Sequence, residues 1–478
     1  MIWLLVAFCA LAAVPSGLRW LRVAQREHYL PGEVSVFAWR WWRSTVLNNL
    51  LDVAATTGVV ASIFSYWWAF LVPAAQVGPI GLSVKGVTSP LAWTDRLRRL
   101  AILAASSVAV FMVVGGLLDE PLLVVIPIYL LPLLIDLALW IMRPLEKRRG
   151  DEWVDRATAK LQSVDPDVVA ITGSYGKTTT KNYVAHLLSG SRRVVASPAS
   201  FNNRMGLARA INENLTPGTE VFVAEMGTYG IGEIAELCQW IPPRVAAITA
   251  IGPVHLERFG ALENIVRAKS EILDRAEVGV LNVDVPLLDT LAFDRRDRMR
   301  IIEVSAKQVD APDDIFAGNL AVALGIGEAL GVGRQEMLSR VADLPTAEHR
   351  QSLMTAGRGF TIIDDTFNSN PDGATSALDK LLAVTDGGES AVITPGMVEL
   401  GSLQDEENEK FAELASRRVD HLIIVGRTNR KALLRGSANG RASVTVVDTR
   451  DEAVAWAKEH LGPGDAVLYE NDLPDHYP

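Results

Sequence analysis

Hydrophobic and polar positions divide this chain into two unlike parts. Up to about residue 145, apolar residues run in long blocks; beyond it they come in short runs between amphipathic stretches. Residues 121–142 form an almost unbroken apolar stretch, about the ~20 residues a helix needs to cross a bilayer. Residues 100–118 form a second such stretch. Residues 53–72 form a third, with Trp67 and Trp68 suited to an interfacial belt. Residues 1–14 are shorter and read as a signal anchor. A cleaved signal peptide fits less well, because a basic leading region is missing and further apolar segments follow. Buried helices of a soluble domain are the competing explanation, but three long runs so close together are hard to bury otherwise. Residues 1–145 are therefore expected to be a multi-pass transmembrane region.

Charge orients these segments. Arg143, Lys147, Arg148 and Arg149 follow the last apolar block and predict a cytoplasmic end there. Asp119 and Glu120 fall outside, and Arg96, Arg98 and Arg99 inside. Arg19, Arg22, Arg26, Arg40 and Arg43 break the pattern, since a count of four spans puts them outside. Either 44–82, interrupted by Pro73 and Gly78, is a hairpin that enters and leaves on one side, or the first segment does not cross as assumed.

Residues 146–165 are charged and helix-compatible, a linker helix. After it, strand-like and helix-like patterns alternate. Expected strands cover 168–172, 193–196, 220–225, 246–251 and 278–283, then 361–364, 391–394, 422–425, 444–447 and 466–469. Such alternation predicts mainly parallel sheets with helices on both faces. Each set fills its own open sheet, so two α/β domains are expected, at 166–343 and 344–478. Length agrees, since 478 residues exceed one ordinary domain. The formal net charge of −10 argues against a nucleic-acid-binding surface. There are two cysteines, Cys9 in the apolar N-terminal run and Cys238 in the α/β part, which argues against a disulfide framework or a cysteine-rich metal site.

The most telling stretch is Ile171-Thr172-Gly173-Ser174-Tyr175-Gly176-Lys177-Thr178-Thr179-Thr180, between a strand pattern and a helix pattern. A glycine-containing turn before a helix N-terminus makes a phosphate cradle of backbone N–H groups. Lys177 would reach the β/γ-phosphates and Thr178 a Mg²⁺ ion. The first glycine of the usual P-loop spacing is replaced by Ile171, which leaves a shorter loop. Further on, Glu225 ends an apolar strand and so faces the ligand crevice, where it could hold Mg²⁺. His255 also follows a strand, although a lone histidine is more often structural. On its own evidence Lys269 is a routine helix-surface lysine.

Taken in order, five segments resemble the Mur ligase family, most closely the members that add D-alanyl-D-alanine to the muramoyl tripeptide. They are 172–181, 201–206, 248–273, 281–284 and 362–372. The resemblance covers about two-thirds of the chain. It implies a P-loop central domain, a Rossmann-like C-terminal domain, and ATP with Mg²⁺ as cofactors. Gly173, Ser174, Tyr175, Gly176, Lys177, Thr178 and Thr179 would hold the phosphates. Thr178, Glu225, His255 and Lys269 would serve metal, with Lys269 carbamylated as in several members. Asn282 would contact adenine, and Arg350 and Asp365 would close on ATP from the C-terminal domain. Lys177, Glu225, His255 and Lys269 would thus carry catalysis. The implied reaction activates a carboxylate as an acyl phosphate, which an amino acid or dipeptide amine then attacks.

This chain departs from that family pattern in several places. The soluble members begin with a domain that holds a UDP-sugar, and membrane segments stand in its place here. An envelope precursor carried on a lipid, met at the cytoplasmic face of the cell membrane, fits better. Phe367 stands where those ligases carry tyrosine. Residues 315–319 lack a His-Asn pair, and 393–397 lack a Gly-Asp-Met. The polar tail at 469–477 is either a frayed end or part of the amine site. Two alternatives are a polyglutamate-type synthase and a non-catalytic ATP-binding scaffold.

Overall fold

The computed structural model describes residues 1–85, 90–198, 201–312, 315–344, 352–366, 369–385, 387–473 and 477. The chain forms two compact units, Met1–Arg149 and Gly150–Asp472.

The first unit is a helical bundle. Among the described residues, two helices, Ile2–Arg26 and Asp95–Leu118, are long and apolar enough to cross a membrane. Two expected spans are corrected. The block at 121–142 is broken into helices Pro121–Tyr129 and Leu131–Val164, bent by 72°. Pro132 explains the break: it has no N–H to give to Ile128 and its ring would clash with that carbonyl. Counted as one bent span, the pair brings the number of spans to three. The block at 53–72 is not a span. Its helix, Val46–Ala61, has 16 residues and is about 24 Å long, short of the ~30 Å hydrocarbon core. The chain then turns into the short helices Tyr66–Phe70 and Leu71–Gln76. The first segment runs further than expected, to Arg26, and the linker stretch at 146–165 continues helix Leu131–Val164 without a break.

The second unit holds two six-stranded sheets. The first contains β1 (Asp167–Thr172), β2 (Val194–Ala196), β3 (Val221–Glu225), β4 (Val245–Ile248), β5 (Val278–Asn282) and β6 (Arg300–Val304), in the order β2-β3-β1-β4-β5-β6, all parallel. Its inner strands β1, β3, β4 and β5 are largely apolar because both faces are covered. Val168, Ala170, Phe222 and Ala224 pack in one core, while Val169, Ile171, Val221 and Val223 pack in the other. The C-terminal part of helix Leu131–Val164 brings Val154, Ala157 and Leu161 into the first of these cores.

The second sheet contains β7 (Ser352–Thr355), β8 (Thr361–Asp365), β9 (Ser390–Thr394), β10 (His421–Val425), β11 (Ser443–Val447) and β12 (Ala466–Glu470), in the order β11-β10-β9-β12-β8-β7. Among the described residues only β7 is antiparallel, a hairpin partner of β8. The sequence reading missed β6 and β7. Both are edge strands without a continuous apolar run: β6 is Arg-Ile-Ile-Glu-Val, and Leu353 and Met354 of β7 are exposed. Strand β4 ends at Ile248, three residues before the expected end, because Thr249 to Gly252 turn away to bind the phosphate-loop backbone. Leu344 still packs in the first sheet's core, so the expected domain boundary near 343 abuts residues 345–351, which lie outside the described residues.

Candidate active site

The loop between β1 and helix Lys177–Leu188 is held from both sides. Gly176 has φ +75°, and a Cβ there would meet the Asn319 side chain at 2.4 Å. A Cβ on Gly173 would fall 2.0 Å from Thr249 Oγ1. Ser174 N donates to Ala250 O at 2.8 Å, and Ser174 Oγ to Gly252 O at 3.1 Å. The Thr249 hydroxyl donates to the carbonyls of Thr172 and Tyr175. The loop is therefore pre-shaped, with helix Lys177–Leu188 aiming its N-terminus and its dipole at it. The Tyr175 ring lies over Gly252. Its buried hydroxyl has no hydrogen-bond partner among the described residues, and burial, reinforced by Asp372 and Glu407, pushes its pKa up.

Two lysines converge on one carbonyl. Lys177 Nζ donates to Gly173 O at 2.8 Å and Ser174 O at 3.3 Å, while Lys269 Nζ donates to Gly173 O at 3.0 Å. Lys269 is 4% exposed, not the routine surface lysine its local sequence suggests. Burial first, and then the charge of Lys177, hold its pKa well below the usual lysine range.

Glu225 closes β3 beside the loop. Thr178 Oγ1 donates to Glu225 Oε2 at 2.9 Å and Lys181 Nζ to the same oxygen at 3.0 Å; Asn202 Nδ2 donates to Oε1 at 3.2 Å. Burial alone would raise the Glu225 pKa. The charges of Lys181 and Lys177, with hydrogen bonds from Lys181 and Thr178, outweigh it and hold the carboxylate below its usual range. Hydroxyl and ionised carboxylate thus meet at the head of the helix, a donor pair of the kind Mg²⁺ takes. Lys181 and Asn202 were not singled out from sequence. Lys181 lies four residues after Lys177, one helical turn along the same face, and that spacing was the available signal.

His255 sits in a left-handed conformation at φ +58°. Its Nδ1 lies 2.5 Å from Glu399 Oε2, and its ring meets Tyr229 edge-on at 5.1 Å. Among the described residues there is no group of three or more His, Cys, Asp or Glu side chains placed to share a metal. Of the four expected metal residues, direct contact joins Thr178 to Glu225.

A cleft of about 340 Å³, inside the ~300–1,000 Å³ of small-molecule sites, opens beside the loop. Tyr175, Gly176, Thr179 and Asn282 line it from the first sheet's side, and Asp365 and Asn370 from the second. Asn282 ends β5 and Asp365 ends β8. Arg350 and Phe367 lie outside the described residues. Glu470, at the end of β12, is fully buried and accepts hydrogen bonds from Ser369 and Thr394. Burial raises its pKa against those hydroxyls. The start of the expected tail is thus a strand, followed by Asn471 anchored to Gly396 O at 2.7 Å.

A pre-shaped phosphate loop at a helix N-terminus, with a second sheet's strand ends lining the same cleft, defines a nucleotide-binding α/β protein. Comparison with known proteins narrows the class. The Mur ligase middle domain matches residues 171–327, and the Mur ligase glutamate ligase domain matches 349–469. The UDP-N-acetylmuramoyl-tripeptide--D-alanyl-D-alanine ligase of Mycobacterium tuberculosis is 30% identical over 370 residues, covering 65% of this chain and 71% of that protein. A crystal structure of MurF from Acinetobacter baumannii shares the fold, with a TM-score of 0.60, 22% identity, and coverage of 68% of this chain and 77% of that one. The chain belongs to the Mur ligase family, whose members are ATP-dependent ligases. The bifunctional folylpolyglutamate synthase/dihydrofolate synthase of Yersinia pestis is more distant, with a TM-score of 0.50, 16% identity, and coverage of 68% of this chain and 90% of that one. The N-terminal helices lie outside both matched ranges.

Proposed function

We propose that this chain is a membrane-embedded Mur ligase whose catalytic part faces the cytoplasm and extends an envelope precursor by one peptide bond. The observation that carries the chemistry is the meeting of Thr178 and Glu225 at 2.9 Å beside the Lys177 loop. Loop N–H groups and Lys177 bind the triphosphate and neutralise charge on the transferring phosphoryl group. Thr178 and Glu225 would hold Mg²⁺, which when bound adds further neutralisation. An oxygen of the substrate carboxylate attacks the γ-phosphorus and ADP leaves. The amine nitrogen then attacks the acyl carbon; phosphate leaves and the nitrogen loses a proton. Asn282 and Asp365 both line the cleft, so closing it would keep water from the acyl phosphate.

Lys269 is proposed to react with carbon dioxide, forming a carbamate and releasing one proton. The reaction needs a neutral amine, and burial of Lys269 favours that form. The product is an anionic oxygen ligand on a residue that touches the phosphate loop. A metal role for His255 would use Nε2, since Nδ1 faces Glu399.

The mycobacterial relative's name gives the acceptor and amine to try first, UDP-muramoyl tripeptide with D-alanyl-D-alanine. The apolar helices favour a lipid-carried acceptor. The test is phosphate release by the full-length protein in detergent with Mg²⁺-ATP. Each acceptor, soluble or lipid-linked, would be paired with D-alanyl-D-alanine, single amino acids or glutamate. Turnover with lipid-linked acceptors above the UDP-linked one supports the reading; equal or greater use of the UDP-linked acceptor removes the lipid requirement. Turnover with glutamate alone would favour the polyglutamate alternative.

A further inference from the structure

The apolar stretch that fails as a span has both of its ends at one place. Asn48, near the start of helix Val46–Ala61, donates from Nδ2 to Ile80 O at 3.1 Å and accepts from Ile80 N at 2.8 Å. Trp41 Nε1 donates to the same carbonyl at 3.2 Å. A single crossing between residues 48 and 80 would separate them by a hydrocarbon thickness, ~30 Å; they touch instead. Between them the chain runs out and returns. Gly58 faces the returning helices, where a Cβ would lie 3.0 Å from both Trp68 O and a Val72 methyl carbon.

The first helix shows which way the turn points. Phe70, on the returning limb, meets Phe8 edge-on at 6.0 Å. Arg19, roughly 16 Å further along that helix by its rise per residue, donates to Leu82 O at 2.9 Å and Gly78 O at 3.3 Å. The turn therefore lies toward the helix's N-terminal end, and the open ends lie toward its arginines. Irregular backbone at membrane depth is tolerated only where its polar groups are satisfied. Arg19, Asn48 and Trp41 do this for the stretch after Gln76.

Charge gives the same orientation. Helices Ile2–Arg26 and Asp95–Leu118 run antiparallel: Trp3 packs on Gly116, while Gln25 exchanges hydrogen bonds with Ala92 at 2.7 and 2.9 Å. Arg99 pairs with Glu146 at 2.9 and 3.0 Å. The basic ends thus gather on one side, with Asp119 and Glu120 on the other. The apolar side chains of Val46, Leu47, Leu50 and Val53 remain exposed along the hairpin.

We propose that residues 46–82 form a hairpin that enters and leaves the bilayer at its cytosolic face, with its exposed side covered by lipid acyl chains. The chain then crosses the membrane three times, and every arginine cluster lies on the inside. This rests on the membrane-embedded reading of the first unit. The test uses full-length protein carrying one added cysteine, Ser44→Cys, Lys85→Cys, Glu120→Cys or Lys147→Cys. The native cysteines, Cys9 and Cys238, are buried and set the background. An impermeant maleimide is applied to right-side-out and inverted vesicles. Ser44→Cys and Lys85→Cys should both label with Lys147→Cys in inverted vesicles, and Glu120→Cys only in right-side-out ones. Labelling of Ser44→Cys and Lys85→Cys on opposite faces overturns the hairpin. Equal labelling of all four from both faces overturns the membrane reading itself. A spin label on Val53→Cys should relax faster with oxygen than with a water-soluble nickel chelate; the reverse overturns the lipid contact.

Discussion

Lys177 and Lys269 share the Gly173 carbonyl, but burial pushes only Lys269 toward its neutral form. Lys177 must stay charged to meet phosphate. Lys177→Ala should cut phosphate release by at least about a hundredfold, the scale of losing one electrostatic group at a transition state. The thermal midpoint should stay within a few degrees; unchanged turnover would remove this loop from the mechanism. Lys269 is instead pushed toward the neutral form by burial. Its folded-state pKa lies below its unfolded value, so between the two the unfolded chain binds more protons, and stability from this site rises with pH. Lys269→Met should flatten that rise in thermal midpoint on the alkaline side, up to about pH 10 where an unfolded lysine titrates, and abolish turnover. Wild-type activity should fall when carbon dioxide is stripped and return with bicarbonate. Indifference to carbon dioxide would leave Lys269 a plain buried amine.

At the scale of elements, the phosphate loop works because its backbone is fixed before nucleotide arrives. Gly176→Ala puts a side chain into a left-handed turn against Asn319, a strain of roughly 1–2 kcal/mol. Nucleotide affinity, read by calorimetry with ADP, should drop at least tenfold while the sheet stays folded; normal affinity would mean the loop tolerates another shape. The strands around this loop were legible because they are buried on both faces and read as continuous apolar runs. Edge strands β6 and β7 were not, since half of their side chains meet solvent. Local sequence also disguised Lys269, whose burial comes from residues far along the chain. The apolar run at 53–72 read as a span by hydropathy, while Pro73, Gly78 and the arginine pattern left a hairpin open; the Asn48–Ile80 bonds decide for the turn back.

At the scale of the whole molecule, the compact unit Gly150–Asp472 contains both sheets and the whole cleft. A chain lacking residues 1–149 should remain soluble and bind ADP about as tightly as the full protein, by the same calorimetry. It should lose turnover of a lipid-linked acceptor in vesicles by tenfold or more. Equal turnover would mean that the helices only store the enzyme at the membrane.

Embedded in a bilayer as proposed, the helices of Met1–Arg149 would also change the dimension of the encounter. An enzyme and an acceptor confined to one bilayer meet by lateral diffusion, so their rate of meeting follows surface density and not bulk molarity. Diluting a vesicle suspension should leave turnover per vesicle unchanged, whereas adding inert lipid to the same vesicles should slow it. The ligase's output would then track the crowding of its membrane rather than the size of the cytoplasmic pool.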